Sequence, residues 1–168
     1  MRNAEKSRQT VTPDGQMVRS NFIEGVVLKD GRNVVAQSGV VTELWRPEWK
    51  GADLRPQHIV HVTLTAFGQT NWHCHKKQQD LLFVVRGLVK VALFDDREES
   101  STYQRLNVLP FSPARPTLIQ IPPGIWHCLK NIGGEDAAYV TMNSLPFSYE
   151  DPDDWKLPPG DASLPQPF

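Results

Sequence analysis

Two histidines, His73 and His75, stand two residues apart with Cys74 between them, in a stretch of strand-forming residues. In an extended strand alternate side chains share a face, so His73 and His75 point together and Cys74 points away. Paired imidazoles suit one kind of chemistry well. Removing a proton from carbon beside a ketone needs a base whose pKa lies near neutrality, which histidine supplies, and a second imidazole on the same face can return the proton. The same parity sets Cys128 opposite His127, so both thiols read as packing residues.

Groups able to hold an anion lie around these residues. Phosphate oxygens favour Arg and Lys donors, and the candidates are Lys76, Lys77, Arg97, Arg105 and Arg115. Taken singly, each reads as a solvated surface charge. Trp72, Tyr103, Phe111 and Trp126 offer faces for stacking on a base or sugar, with core packing the commoner role for any one of them. His58 and His61 share a strand-like run with no partner motif and read as structural.

Short strands must position all of this. Strand-forming runs at Ile23–Leu28, Val40–Trp45, Ile59–Ala66, Leu81–Val85, Leu88–Phe94, Thr117–Ile121, Trp126–Asn131 and Ala137–Met142 are separated by Gly, Pro, Asn and Asp. That spacing predicts an all-β sandwich or barrel. Leu81–Val85 and Leu88–Phe94, broken only by Arg86 and Gly87, read as a hairpin. Gly124, after Pro122 and Pro123, reads as a turn residue at positive φ that delivers His127 inward. Fourteen prolines, above the average share of about 5%, exclude long helices from Pro110–Pro123 and Pro146–Pro167. The division expected is an N-terminal arm (1–20), a barrel (21–145) and an extended Pro-rich tail packing on the barrel (146–168).

With 168 residues the chain is one domain's length. Its 18 Lys plus Arg against 19 Asp plus Glu leave no basic field for a polyanion, which argues against nonspecific nucleic-acid binding. The longest apolar run, Leu81–Val85, falls far short of the ~20 residues that span a bilayer. Residues 1–20 lack the apolar core of a secretory signal. A cytoplasmic location is expected, with Cys74 and Cys128 reduced. Open sheet edges and polar arms at both ends favour a homodimer formed by strand exchange.

The segment His73-x-His75, four residues, Asp80, six residues, Gly87 resembles the first motif of the cupin superfamily, with Asp80 in place of its Glu. Pro122-x-Gly124, two residues, His127, three residues, Asn131 resembles the second. The resemblance implies an RmlC-like cupin fold, the jelly-roll or double-stranded β-helix barrel, with both motifs facing the interior. More specifically, four segments resemble the dTDP-4-dehydrorhamnose 3,5-epimerase family, including its shorter dTDP-sugar isomerase-like members. They are Trp72 to Asp80, Phe94-Asp95-Asp96-Arg97, Ile121 to His127, and Asp151-Pro152-Asp153-Asp154 with Leu157-Pro158. The match runs from about Gly25 to Pro158.

That likeness implies a nucleotide-sugar isomerase or epimerase, acting by proton transfer next to the ketone of a 4-keto-6-deoxy dTDP-sugar without metal or other cofactor. His73 takes the base position and His75 is its partner. Glu43 occupies a place where the family has a Glu near the nucleotide. Lys76, Arg97, Arg105, Arg115, Trp126 and His127 complete the expected substrate-binding set.

Departures are equally visible. Thr70-Asn71-Trp72-His73 keeps the base histidine but lacks the family's preceding arginine. Thr141 to Pro146, where the acid tyrosine is expected, holds none, and the aspartate that orients the base belongs to a C-terminal segment not evident here. These departures favour a single proton transfer over full 3,5-epimerisation. The string His73 to Lys76 also resembles the sugar 3,4-ketoisomerases, cupins in which a histidine pair moves hydrogen between neighbouring sugar carbons. Two further readings stand beside these: a metal-dependent cupin oxygenase or isomerase, in which His73, His75, Asp80 and His127 supply three imidazoles and a carboxylate suited to Fe(II), Mn(II), Ni(II) or Zn(II), and a non-catalytic sugar-binding cupin.

Overall fold

The computed structural model describes residues 9–14, 21–49 and 54–168, so most of the expected arm at 1–20 lies outside the described residues. Among the described residues there is no helix. One antiparallel sheet runs, in spatial order, β1 (Val27–Asp30), β9 (Thr117–Ile121), β6 (Asp80–Arg86), β11 (Ala137–Asn143) and β4 (His58–Leu64). A second runs β12 (Trp155–Lys156), β5 (His73–Cys74), β10 (Ile125–Asn131), β7 (Val89–Asp95) and β8 (Leu106–Phe111). A separate hairpin is formed by β2 (Asn33–Ala36) and β3 (Gly39–Thr42). Neighbouring strands are mostly distant in sequence, and the two sheets close over a shared core. This is the all-β jelly-roll barrel of the cupins.

Period-two alternation explains why so many strands are apolar throughout. On β6, Leu82 and Val84 face the shared core, while Leu81, Phe83 and Val85 face outward into a second cluster. That outer face is covered by Leu44, Trp45, Trp49 and Leu54. On β10, Ile125 and Leu129 point inward, and Trp126 and Cys128 pack outward. The C-terminal tail covers this second outer face with Leu157, Leu164 and Phe168. Each sheet is therefore buried on both sides over much of its area. Burial of one such Leu or Phe side chain contributes about 1.5–3 kcal/mol.

The expected hairpin is not a hairpin. β6 pairs with β9 and β11, whereas β7 pairs with β8 and β10, so Arg86 and Gly87 form a corner between sheets. Gly87 sits at φ 78°, and a Cβ there would stand 2.7 Å from the Cβ of Ala137. Two strands joined by a two-residue break pair only if the backbone folds back in plane; here the chain instead crosses the barrel, and Ala137 fills the space beside the corner.

Boundaries shift elsewhere. β1 begins only at Val27, β3 ends at Thr42, and β2 and β8 lay outside the expected strands. Pro110 interrupts the strand pattern of β8 in the sequence. As an edge strand it has one unpaired side, where a residue without an N–H breaks no ladder. The motif residue Asn131 is wholly buried and structural. Its Nδ2 donates to the carbonyls of Thr65 (2.9 Å) and Glu135 (2.7 Å), and its Oδ1 accepts from Gly133 N (2.9 Å).

Candidate active site

Between the sheets, at the end where inward side chains turn from aliphatic to polar, lies a cavity of about 740 Å³. Strand parity supplies its walls. β11 sends Tyr139, Thr141 and Asn143 inward, β4 sends His58, Val60 and Val62, and β5 with its following loop brings His73 and His75. His127 stands directly across the ladder from His73, with ring centroids 4.0 Å apart. The His73 and His75 rings are 5.9 Å apart, so the face-sharing read from their spacing holds although β5 ends at Cys74. Asp80 reaches in from the opposite sheet. Its Oδ2 lies 3.3 Å from His75 Nε2 and 3.4 Å from His127 Nε2, and Gln78 Nε2 donates to its Oδ1 at 2.7 Å.

The loop between β9 and β10 holds this geometry. Gly124 adopts φ 83° and donates its N–H to the carbonyl of His75 at 2.7 Å. The turn that aims His127 inward is thereby tied to the strand that carries the other two histidines.

Hydrogen bonds assign different roles to the rings. A carbonyl only accepts, so His73 Nδ1, 3.0 Å from Asn71 O, carries the proton. That leaves Nε2 of a neutral His73 with a lone pair. Burial, and then the neighbouring His127, hold the His73 pKa well below the ordinary imidazole value. His75 behaves oppositely. Burial pulls its pKa down, but the Asp80 hydrogen bond and charge and the Asp153 carbonyl outweigh that, and the net shift is upward. Both His75 nitrogens face oxygen acceptors, the Asp153 carbonyl at Nδ1 and Asp80 at Nε2. Asp80 itself, though buried, is driven well below the usual carboxylate range by its bonds to His127 and His75. Burial, with the Asp80 charge, pushes the Tyr139 phenol up to about 12, so it keeps its proton at neutral pH. The cavity thus holds two imidazoles whose pKa values are pushed apart, an arrangement suited to proton transfer.

One nitrogen from each of His73, His75 and His127 lies within 4.8 Å of the others, near enough to share a divalent ion. Nδ1 of each of the three rings faces a backbone carbonyl, of Asn71, Asp153 and Ile125, and Nε2 of His75 and of His127 converges on Asp80 Oδ2. Imidazoles held in this way with a carboxylate are a donor set able to hold a divalent ion.

The anion-binding candidates are scattered. Arg97 is spent on the buried Asp95, with Nε 2.8 Å from Oδ1, and on the Glu24 carbonyl. Arg105 donates to the Phe22 carbonyl, Arg115 pairs with Asp30 at 3.6 Å and Glu43 pairs with Arg46. Lys76 sits 3.6 Å above the Trp155 ring. Trp126 and Trp72 pack in the outer cluster, Phe111 in the core, and Tyr103 is exposed. None of these lines the cavity, whereas Lys77 does. Cys74 and Cys128 are buried and free, and burial raises both thiols, to about 11 and about 12.

Three cavity residues were missed or misjudged from sequence. Tyr139 lies two residues before the segment expected to hold a tyrosine, and its parity with Thr141 was the available signal. Asn143 continues that row, and His58, read as structural, faces it across the ladder. Both carry a buried polar atom without a partner, His58 Nδ1 and Asn143 Oδ1. His61, by contrast, is exposed on the outer face of β4.

No protein-family model matches the chain. A probable low-salt glycan biosynthesis epimerase of Haloferax volcanii, Agl13, is 30% identical over 115 residues, covering 67% of this chain and 73% of that protein. Among solved structures, a dTDP sugar isomerase from Desulfovibrio desulfuricans superposes with TM-score 0.76 at 24% identity, over 82% of this chain and 87% of that one. NovW, a 4-keto-6-deoxy sugar epimerase of Streptomyces spheroides, gives 0.74 at 20% identity, over 87% and 75%. The fold, the inward His73–His75–Asp80–His127 cluster and the epimerase likeness agree, and the chain belongs to the dTDP-4-dehydrorhamnose 3,5-epimerase and dTDP-sugar isomerase family of cupins.

Proposed function

We propose that this protein isomerises or epimerises a 4-keto-6-deoxy dTDP-sugar by proton transfer beside the ketone, without a metal. One observation carries the reading: in a single cavity His73 has Nδ1 tied to Asn71 O and its pKa held well below the ordinary imidazole value, while Asp80 raises that of His75. His73 Nε2 takes the proton from the carbon next to the carbonyl, and the C–H electron pair moves into an enolate. Excess charge on the enolate oxygen is met by a proton donor, for which His75 and the protonated Tyr139 are both placed in the cavity. Return of a proton to the opposite face of the same carbon inverts it; protonation of the former carbonyl carbon, with the hydroxyl proton of the deprotonated carbon passing to a base, shifts the ketone. His58, Thr141 and Asn143 supply polar wall to the same cavity. The barrel walls limit water around the carbanion.

The assembly proposed is a homodimer. The β2–β3 hairpin pairs with neither sheet and exposes Val34, Val35, Val40 and Val41, an apolar surface suited to a second copy. Free Cys74 and Cys128 support a cytoplasmic location.

The deciding experiment is incubation of dTDP-4-keto-6-deoxyglucose with the protein in heavy water. Deuterium should enter at C3 or C5, in His73→Ala the exchange should fall about 100-fold or more, and treatment with a chelator should leave the wild-type rate unchanged. Loss of exchange on chelation would transfer the assignment to a metal-dependent cupin. Binding with no exchange for any nucleotide sugar would leave a sugar-binding module.

A further inference from the structure

The segment from Asp153 to Leu157 runs antiparallel along the strand and loop that carry the histidine pair. Trp155 and Lys156 pair with Cys74 and His73, and Leu157 N–H donates to Trp72 O at 3.0 Å. At the head of this strap, the Asp153 carboxylate accepts three consecutive backbone N–H groups, from Lys76 (3.0 Å), Lys77 (2.7 Å) and Gln78 (2.8 Å). Successive amides converging on one carboxylate form an anion nest, and charge-assisted bonds of this kind are about twice as strong as neutral ones. Trp155 Nε1 adds a weaker contact at 3.3 Å. The same residue's carbonyl accepts from His75 Nδ1. Asp153 therefore grips the loop immediately after His75 with its side chain and the His75 ring with its main chain.

We propose that Asp153 is a positioning residue for His75, fixing the ring so that Nδ1 keeps its proton and Nε2 meets Asp80. Without the carboxylate the 76–78 loop and the strap lose their common anchor, the Asp153 carbonyl shifts, and the ring turns away from Asp80. Nothing in this requires Asp153 to touch substrate. Its influence passes through His75, so it acts on turnover more than on binding. The kinetic part rests on the proposed isomerase reading, and the spectroscopic part does not.

The test compares Asp153→Ala, Asp153→Asn and Trp155→Ala in the full chain. Asp153→Ala should lower kcat with dTDP-4-keto-6-deoxyglucose at least tenfold while KM changes less than about threefold, the split expected when chemistry and not binding is impaired. Proton–nitrogen-15 correlation spectra should show the His75 Nδ1 resonance displaced toward that of an unbonded ring nitrogen. Asp153→Asn, which keeps an acceptor oxygen, should recover most of the rate and the wild-type resonance, and Trp155→Ala should retain both. If Asp153→Ala fails to fold, the Asn variant and the Trp155 control decide. A folded Asp153→Ala with wild-type kcat and an unmoved His75 signal would overturn the proposal. So would an equal loss in Trp155→Ala, which would make the strap merely structural. Should the wild-type protein turn over no nucleotide sugar, the isomerase reading fails, while the nitrogen-15 comparison still decides for or against Asp153.

Discussion

Replacing Asp80 with asparagine removes one charge and almost no volume from the centre of the site. Its carboxylate is the shared partner of His75 and His127, at 3.3 and 3.4 Å. Two unit charges at 3.3 Å in an effective dielectric of about 20 attract by roughly 5 kcal/mol, and the burial of His75 opposes that attraction. With the charge gone, burial is opposed only by the Asp153 carbonyl and the Asp154 charge, and the His75 pKa should fall from its raised position. On the proposed mechanism, exchange in the wild-type protein needs His73 neutral and His75 charged. His73 titrates below 6.5 and His75 above it, so the rate should form a plateau bracketing that pH, its two limbs belonging to the coupled cluster as a whole. In Asp80→Asn the upper limb should move to lower pH, the window should narrow, and the peak rate should drop on the order of 100-fold. The assay is deuterium incorporation followed by proton NMR from about pH 5 to pH 9, the range over which imidazoles titrate.

Stability carries the same signature. The raised His75 pKa contributes stability that is complete below 6.5 and lost as pH rises through the folded value. Thermal melts should show that loss in the wild type and not in Asp80→Asn. The opposite contribution of His73, complete above 6.5 and lost as pH falls, is present in both proteins while His73 itself is unaltered. An unchanged upper limb in Asp80→Asn, with a rate within about threefold of wild type, would refute the charge-pair reasoning.

Gly87→Ala should destabilise by about 2–4 kcal/mol, because it places a side chain at positive φ and brings Cβ within 2.7 Å of Ala137 Cβ; a melting temperature within a degree or so of wild type would count against the corner. Gly124→Val, at φ 83° with a Cβ 3.0 Å from Arg97 Cδ, should weaken dTDP binding measured by calorimetry, since its N–H anchors His75. Val35→Lys on the most exposed part of the β2–β3 hairpin should give a folded monomer by light scattering where the wild type is a dimer, and a wild-type protein that is itself monomeric would end that proposal.

Much of the site was legible because strand parity is local. The two-residue spacing of His73 and His75 dictates a shared face wherever the chain is extended, and the outward turn of Cys74 and Cys128 follows from the same rule. The glycine before His127 was legible for a similar reason, since few other residues tolerate the conformation that turn requires. Parity alone also made Tyr139 available, on the same face as Thr141 and Asn143, but only the cavity gives a reason to choose that face. The hairpin between β6 and β7 failed because pairing is not local. Leu81–Val85 and Leu88–Phe94 have strand-like residues and a short break, yet each finds better burial in a different sheet, with partners up to about sixty residues away.

The sequence by itself determined the class of fold and which histidines share a face, because alternating apolar runs and paired histidines act over two or three positions. Only the tertiary structure decided which charges serve the site. Arg97, Arg105 and Arg115 had the right chemistry for a phosphate, but the folded chain commits them to Asp95, the Phe22 carbonyl and Asp30. It likewise decided that the two histidines differ. His73 and His75 are the same residue on the same strand face, and one is left beside a carbonyl while the other meets Asp80 from the opposite sheet and Asp153 from the tail. Protonation is set by what surrounds a ring in space, and those neighbours arrive from strands and a tail that lie up to 78 positions along the chain.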